Sequence, residues 1–169
     1  PFPRKRLLRP LPLRARRDDA LCAAIFSNAR FNLRARPRAA GLIGFVHHDH
    51  IGDIQGLLGS LAKVGRVDPV EVWGGGNEDP ALGLAAFVHH MGKVMAWDTA
   101  SVRGVRPTTG FEAIAHEIPY DRPDTIYDRN GVIIGSFPAI HGLNGAVGYT
   151  ISYAGRKVVF SGDTRPCRH

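Results

Sequence analysis

Cysteine is scarce: Cys22 and Cys167 are the only two in 169 residues. They could form one disulfide at most, and their separation matches neither a zinc ribbon nor a redox motif, so free thiols are expected. No run of about eighteen apolar residues occurs, which leaves no candidate membrane-spanning helix. The opening Pro1-Phe2-Pro3-Arg4-Lys5-Arg6 lacks the apolar stretch and cleavage site of a secretory signal. A soluble, cytoplasmic protein with no membrane partner is expected. Internal repeats are absent, and Gly74-Gly75-Gly76 lacks the spacing and lysine of a phosphate loop, so it reads as a turn.

With 44% hydrophobic residues, the chain is rich enough in apolar side chains to bury a core. Its net charge of +7 is unevenly placed. Residues 1–44 hold eleven Arg or Lys against Asp18 and Asp19, a local +9, and the remainder carries −2. An Arg-rich arm suits weak, non-specific nucleic-acid binding through counterion release. The segment also lacks a helical stripe or regular alternation, so an unstructured tail or a miscopied reading frame accounts for it equally well. The division expected is an Arg-rich, poorly patterned segment 1–40 and an incomplete folded domain 41–169.

From Gly41 the texture changes. Leu42-Ile43-Gly44-Phe45-Val46 reads as a buried strand leading into His47-His48-Asp49-His50. Ile51, Ile54, Leu57, Leu58 and Leu61 then recur at helical spacing. Val70 to Trp73 is a second strand. Pro80 suits a helix start, and Leu84, Val88, Met91 and Met95 form a core-facing stripe running to about Ser101. Strands are expected over 111–118, 125–128, 131–140, 147–153 and 157–161, with hairpin turns at Asn130-Gly131 and Ala154-Gly155. Two early helices and a following meander give an α/β layered sandwich.

Three features place imidazole or carboxylate at strand ends: the His47-His48-Asp49-His50 cluster with Asp53 behind it, His141, and Asp163 in Ser161-Gly162-Asp163-Thr164. Imidazole nitrogen and carboxylate oxygen are ligands that zinc accepts, so a metal site is the chemistry expected. His48 reads as a solvated neighbour. Of His89 and His90, one is expected to face solvent and the other to pack. His116-Glu117 reads as a polar pair on an edge strand.

In this order and spacing, the stretch from Phe45 to Asp53, the segment Gly131 to His141, and the segment Gly148 to Pro166 resemble the metal motifs of the metallo-β-lactamase superfamily, in its ribonuclease Z and arylsulfatase-like branch. His89-His90-Met91 and Ala96 to Ser101 are also similar to a subgroup that includes guanitoxin-pathway enzymes. The resemblance implies a partial αββα sandwich. It implies that His47 and His141 bind one zinc ion, that Asp49 and His50 bind a second, and that Asp163 bridges them. A bridging hydroxide would be the nucleophile, with Asp49 assisting proton transfer. The reaction implied is zinc-dependent hydrolysis of a phosphodiester, sulfate ester, ester or lactam, with the Ser136 to His141 stretch closer to ribonuclease Z than to the lactamases. The alternative is a non-catalytic remnant that binds nucleic acid through its basic arm. Phe45 stands where the motif has its first His, the family's last His has no counterpart, and His169 is too near Asp163 to replace it. A fragment, a frame-disrupted copy or a decayed paralogue would each account for these departures.

Phe45→His is expected to raise zinc affinity at least about tenfold, because alternate residues of an extended segment project the same way and can grip one ion together. Titrating both chains with zinc against a competing chelator checks this, and equal affinities would show that position 45 does not face the metal. Deleting residues 1–40 is expected to abolish salt-dependent DNA binding and leave the fold no worse. DNA affinity that persists after the deletion would place the binding surface elsewhere.

Overall fold

The computed structural model describes residues 22–25, 39–44 and 46–166, with side chains from residue 41 onward. The expectations for Phe45, Cys167, His169 and most of the Arg-rich start lie outside these residues, as does the side chain of Cys22. The first sheet is parallel throughout, in the order β1 (Cys22–Ile25), β2 (Ala39–Ile43), β3 (Val70–Gly75) and β4 (Ala113–Ile118). This sheet reaches back into the segment before residue 41, because β1 pairs with β2 from Cys22 against Ala39 to Ile25 against Leu42. Deleting residues 1–40 therefore removes an edge strand, and the expectation that the fold is no worse does not hold.

Parallel neighbours need long crossovers, and helices supply two of them. Between β2 and β3 lie α1 (His48–Ile51) and α2 (Ile54–Lys63). Between β3 and β4 lie a 3-10 turn (Pro80–Leu82), α3 (Leu84–Val94) and α4 (Ala96–Ser101). Both helical stretches are broken where a single helix was expected, the first at Gly52-Asp53 and the second at Met95. Segment 113–118 also differs from expectation: it joins β3 rather than the meander. A five-residue connection carrying Pro119 and Pro123 separates it from the next strand, and it pairs in parallel with Val70 to Gly75.

The second sheet is antiparallel: β5 (Asp124–Arg129), β6 (Val132–Pro138), β7 (Val147–Tyr153) and β8 (Arg156–Phe160). Both expected hairpins form. Asn130 and Gly131 have φ of 54° and 76°, and Ala154 and Gly155 have 49° and 73°, the paired positive values that a two-residue turn matched to strand twist requires.

Strand alternation divides the core in two. Ile43, Val70 and Val72 face α2 and α3, meeting Ile54, Leu58, Leu84, Met91 and Met95. Leu42 and Trp73 face the other way, toward Ile134, Val147 and Tyr149 of the second sheet. The result is a helix, sheet, sheet stack, the partial αββα sandwich. On the outer face of the second sheet Ile133 and Val159 are exposed. No helix among the described residues is long and apolar enough to cross a membrane.

Tyr149 joins the two sheets. Its ring is buried, and its hydroxyl donates to the carbonyl of Ile43 at 2.7 Å and lies 3.2 Å from that of Trp73. Burial pushes the phenol well above the ordinary tyrosine value of 10.0. Tyr149→Phe is expected to cost about 1 kcal/mol, read as a lower urea midpoint near neutral pH. As pH rises above 10.0 the unfolded chain ionises at this residue while the folded chain does not, so wild-type stability falls there. The phenylalanine variant lacks this contribution, and its midpoint should fall less steeply over the same range.

Candidate metal centre

β2 delivers the chain to Gly44, whose carbonyl accepts from the Val147 amide at 2.9 Å at the start of β7. His47 follows in an extended conformation at the N-terminus of α1, and its carbonyl accepts from the amides of His50 and Ile51. The tight turn thus formed sets Asp49 and His50 on one short helix. His141 leaves β6 two residues after the Ala139 amide bonds to the Ala146 carbonyl at 3.0 Å. Asp163 leaves β8 three residues after Phe160. The loops carrying His141 and Asp163 are fastened together: the Ile140 amide donates to Thr164 Oγ1 at 3.1 Å, and the Arg165 amide donates to the Ile140 carbonyl at 3.0 Å.

The five side chains singled out in the sequence converge here. His50 Nε2 lies 3.3 Å from Asp163 Oδ2 and 3.7 Å from Asp49 Oδ2. His141 Nε2 lies 3.9 Å from the same Asp163 oxygen. His47 meets the His141 ring edge-on, with centroids 5.4 Å apart. Asp163 is therefore central, with His50 on one side and His141 on the other. One donor atom each from Asp49, His50 and Asp163 lie within 4.8 Å of one another. The His50 side chain is the most enclosed, 16% exposed against 59% for Asp49 and 49% for Asp163.

This donor set fits a divalent cation. Two ligand atoms each about 2.1 Å from a tetrahedral ion sit roughly 3.4 Å apart. Three pairs lie near this spacing, His50 with Asp163 at 3.3 Å, His50 with Asp49 at 3.7 Å and His141 with Asp163 at 3.9 Å, and one donor atom each of Asp49, His50 and Asp163 fall within 4.8 Å of one another. Two carboxylates and three imidazoles also supply the mixture of oxygen and nitrogen that zinc accepts.

Other residues read from the sequence fall outside the cluster. The His48 side chain is 99% exposed, as expected of a solvated neighbour. His89 and His90 are both exposed and meet edge-on at 5.4 Å, so the expectation that one of them packs does not hold. The cause is that the buried face of α3 is taken by Leu84 and Met91. His116 stacks on Trp73 with centroids 4.6 Å apart and bonds to Glu71, while Glu117 accepts from the Ala85 amide at the start of α3; both lie on the edge strand β4. Sequence reading missed Thr164, whose hydroxyl ties the two loops. Its place directly after Asp163 was the available signal.

No protein-family model and no curated protein matches the chain. Solved structures do. The short form of human tRNase Z is 17% identical with a TM-score of 0.58, over 89% of this chain and 60% of the human chain. A metallo hydrolase from the archaeon Ignicoccus hospitalis is 18% identical with a TM-score of 0.37, over 74% of this chain and 42% of the archaeal one. The chain thus spans less than two thirds of either protein's length. Two stacked sheets with helices against the parallel one, together with the likeness to the human structure, show that this chain has the metallo-β-lactamase fold.

Proposed function

We propose that the chain carries the metal-binding half of a zinc-dependent hydrolase of the ribonuclease Z type, acting on a phosphodiester. One observation carries this reading: Asp49, His50 and His141, drawn from two separate loops, gather around the carboxylate of Asp163 on a third, and His47 meets the His141 ring. A structural neighbour that is a tRNase supports a phosphodiester over the sulfate ester, ester or lactam that the motifs also allow.

In this reading His47, Asp49, His50, His141 and Asp163 would hold the metal, with His47 and His141 on one side of Asp163 and Asp49 and His50 on the other. Bound zinc would supply Lewis acidity, lowering the pKa of a water molecule and polarising the phosphoryl oxygen. Asp163 lies between His50 and His141 and fixes the spacing of the two halves. Thr164 and Arg165 hold the Asp163 loop against Ile140, next to His141. Asp49, more than half exposed, points Oδ2 toward His50. Its carboxylate would be available to accept a proton from water at the site.

The basic arm and Phe45 favour the second reading, a non-catalytic relative that binds nucleic acid. Metal analysis separates the two. About two zinc ions per chain and turnover of a phosphodiester reporter support the hydrolase, whereas absence of bound metal with salt-sensitive DNA binding supports the other. Nitrocefin turnover would point instead to a lactamase. Asp163→Ala is expected to lower zinc affinity by at least about 10- to 100-fold, since even residues that only support a ligand have effects of that size. Unchanged stoichiometry and affinity in a chelator competition would overturn the assignment.

A further inference from the structure

A cavity of ≈ 320 Å³ opens beside His47, between the end of β3 and the loop that follows His141. His47 lines it and also meets the His141 ring, so the cavity adjoins the cluster of ligands. Its volume lies at the lower end of the range for small-molecule sites, about 300 to 1,000 Å³, and suits one ring-sized group.

The lining is apolar and uncharged. The turn before α3 and its first two turns contribute Leu82, Phe87 and His90, and the loop beyond His141 contributes Leu143. No Asp, Glu, Lys or Arg among the described residues lines it. Leu82 and Leu143 are 51% and 65% exposed, leaving two large apolar side chains uncovered at the cavity. Backbone forms much of the rest. A Cβ on Gly75 would collide with the Gly145 carbonyl oxygen, so the two walls meet there as bare main chain.

The two asparagines in the lining are committed to the walls themselves. The Asn77 amide donates to the Asn144 carbonyl, and Asn77 Oδ1 accepts from the Asp79 amide. Asn144 Nδ2 donates to Glu78 at 2.7 Å. These bonds brace the end of β3 against the 143–145 loop. His90 adds a ring nitrogen that can form a hydrogen bond into the cavity.

The geometry points to a subsite for an uncharged aromatic group esterified to the phosphoryl centre, with Leu82, Phe87 and Leu143 enclosing the ring and His90 bonding to its edge. This assignment rests on the phosphodiester reading above. A charged group is disfavoured because nothing in the lining neutralises it. A ring, in contrast, buries apolar surface on both of its faces.

Calorimetric titration of the zinc-loaded chain tests the subsite without relying on turnover. Phenyl phosphate is expected to bind at least about tenfold more tightly than inorganic phosphate, the gain available from burying one ring. A preference seen only for adenosine monophosphate over ribose 5-phosphate would also support the subsite and would identify the ring as a nucleobase. In the double variant Leu82→Ser, Leu143→Ser the preference should vanish while zinc content and inorganic phosphate affinity stay unchanged. Both positions are exposed, so the fold should tolerate the changes. Normal zinc and phosphate binding with no aromatic preference, or a preference that survives in the double variant, overturns the subsite alone. Failure to bind zinc overturns the metal-centre reading and the subsite with it.

Discussion

The contact between β7 and the end of β2 governs the arrangement of the site. Val147 donates from its backbone to Gly44, and two residues on Tyr149 donates from its side chain to Ile43. A backbone bond and a buried phenol thus hold the antiparallel sheet against the last residues of a parallel strand, immediately before the histidine cluster. Because side chains alternate along β2, Leu42 can pack against the second sheet while Ile43 packs against the helices. If this junction slipped by one residue, both cores would be exchanged and His47 would be carried away from His141.

The loops that carry the candidate ligands are set by main-chain hydrogen bonds, and His50 also bonds to Asp163 at 3.3 Å. The short helix α1 sets Asp49 and His50, and the paired loops 139–141 and 163–165 set His141 and Asp163. Within the cluster, His50 lies 3.3 Å from Asp163 and 3.7 Å from Asp49, and His141 lies 3.9 Å from Asp163. Under the proposed reading such preorganisation would favour metal binding, because donors that are already in place lose less conformational freedom when an ion is bound.

Much of this was legible in the sequence because its signals are local. Apolar runs ending in His or Asp marked the strand ends, and Asn130-Gly131 marked a turn through its need for positive φ. The two helix breaks were less visible, since the apolar stripe continues across Gly52 and Met95 without a change of period. The placement of β4 was hidden for a different reason: strand propensity is the same for a parallel and an antiparallel partner, and only the length of the connection decides between them. The ligand residues were readable by type and order, while the bond that fastens their loops, from Ile140 to Thr164, depends on a contact across 24 residues that no local pattern encodes. The cavity likewise arises from the meeting of Gly75 and Gly145, which are distant in the chain.

His50 and Asp163 are separated by 113 positions. During synthesis at about 5 to 20 residues per second, the early half of this pair waits roughly 6 to 23 seconds for the late half to be made. Throughout that interval, if the proposed reading holds, the early histidines would form only an open, incomplete set of donors. Under the proposed metal-centre reading, the arrival of Asp163 just after β8 would complete the donor set, so the second sheet would be the latch on the site.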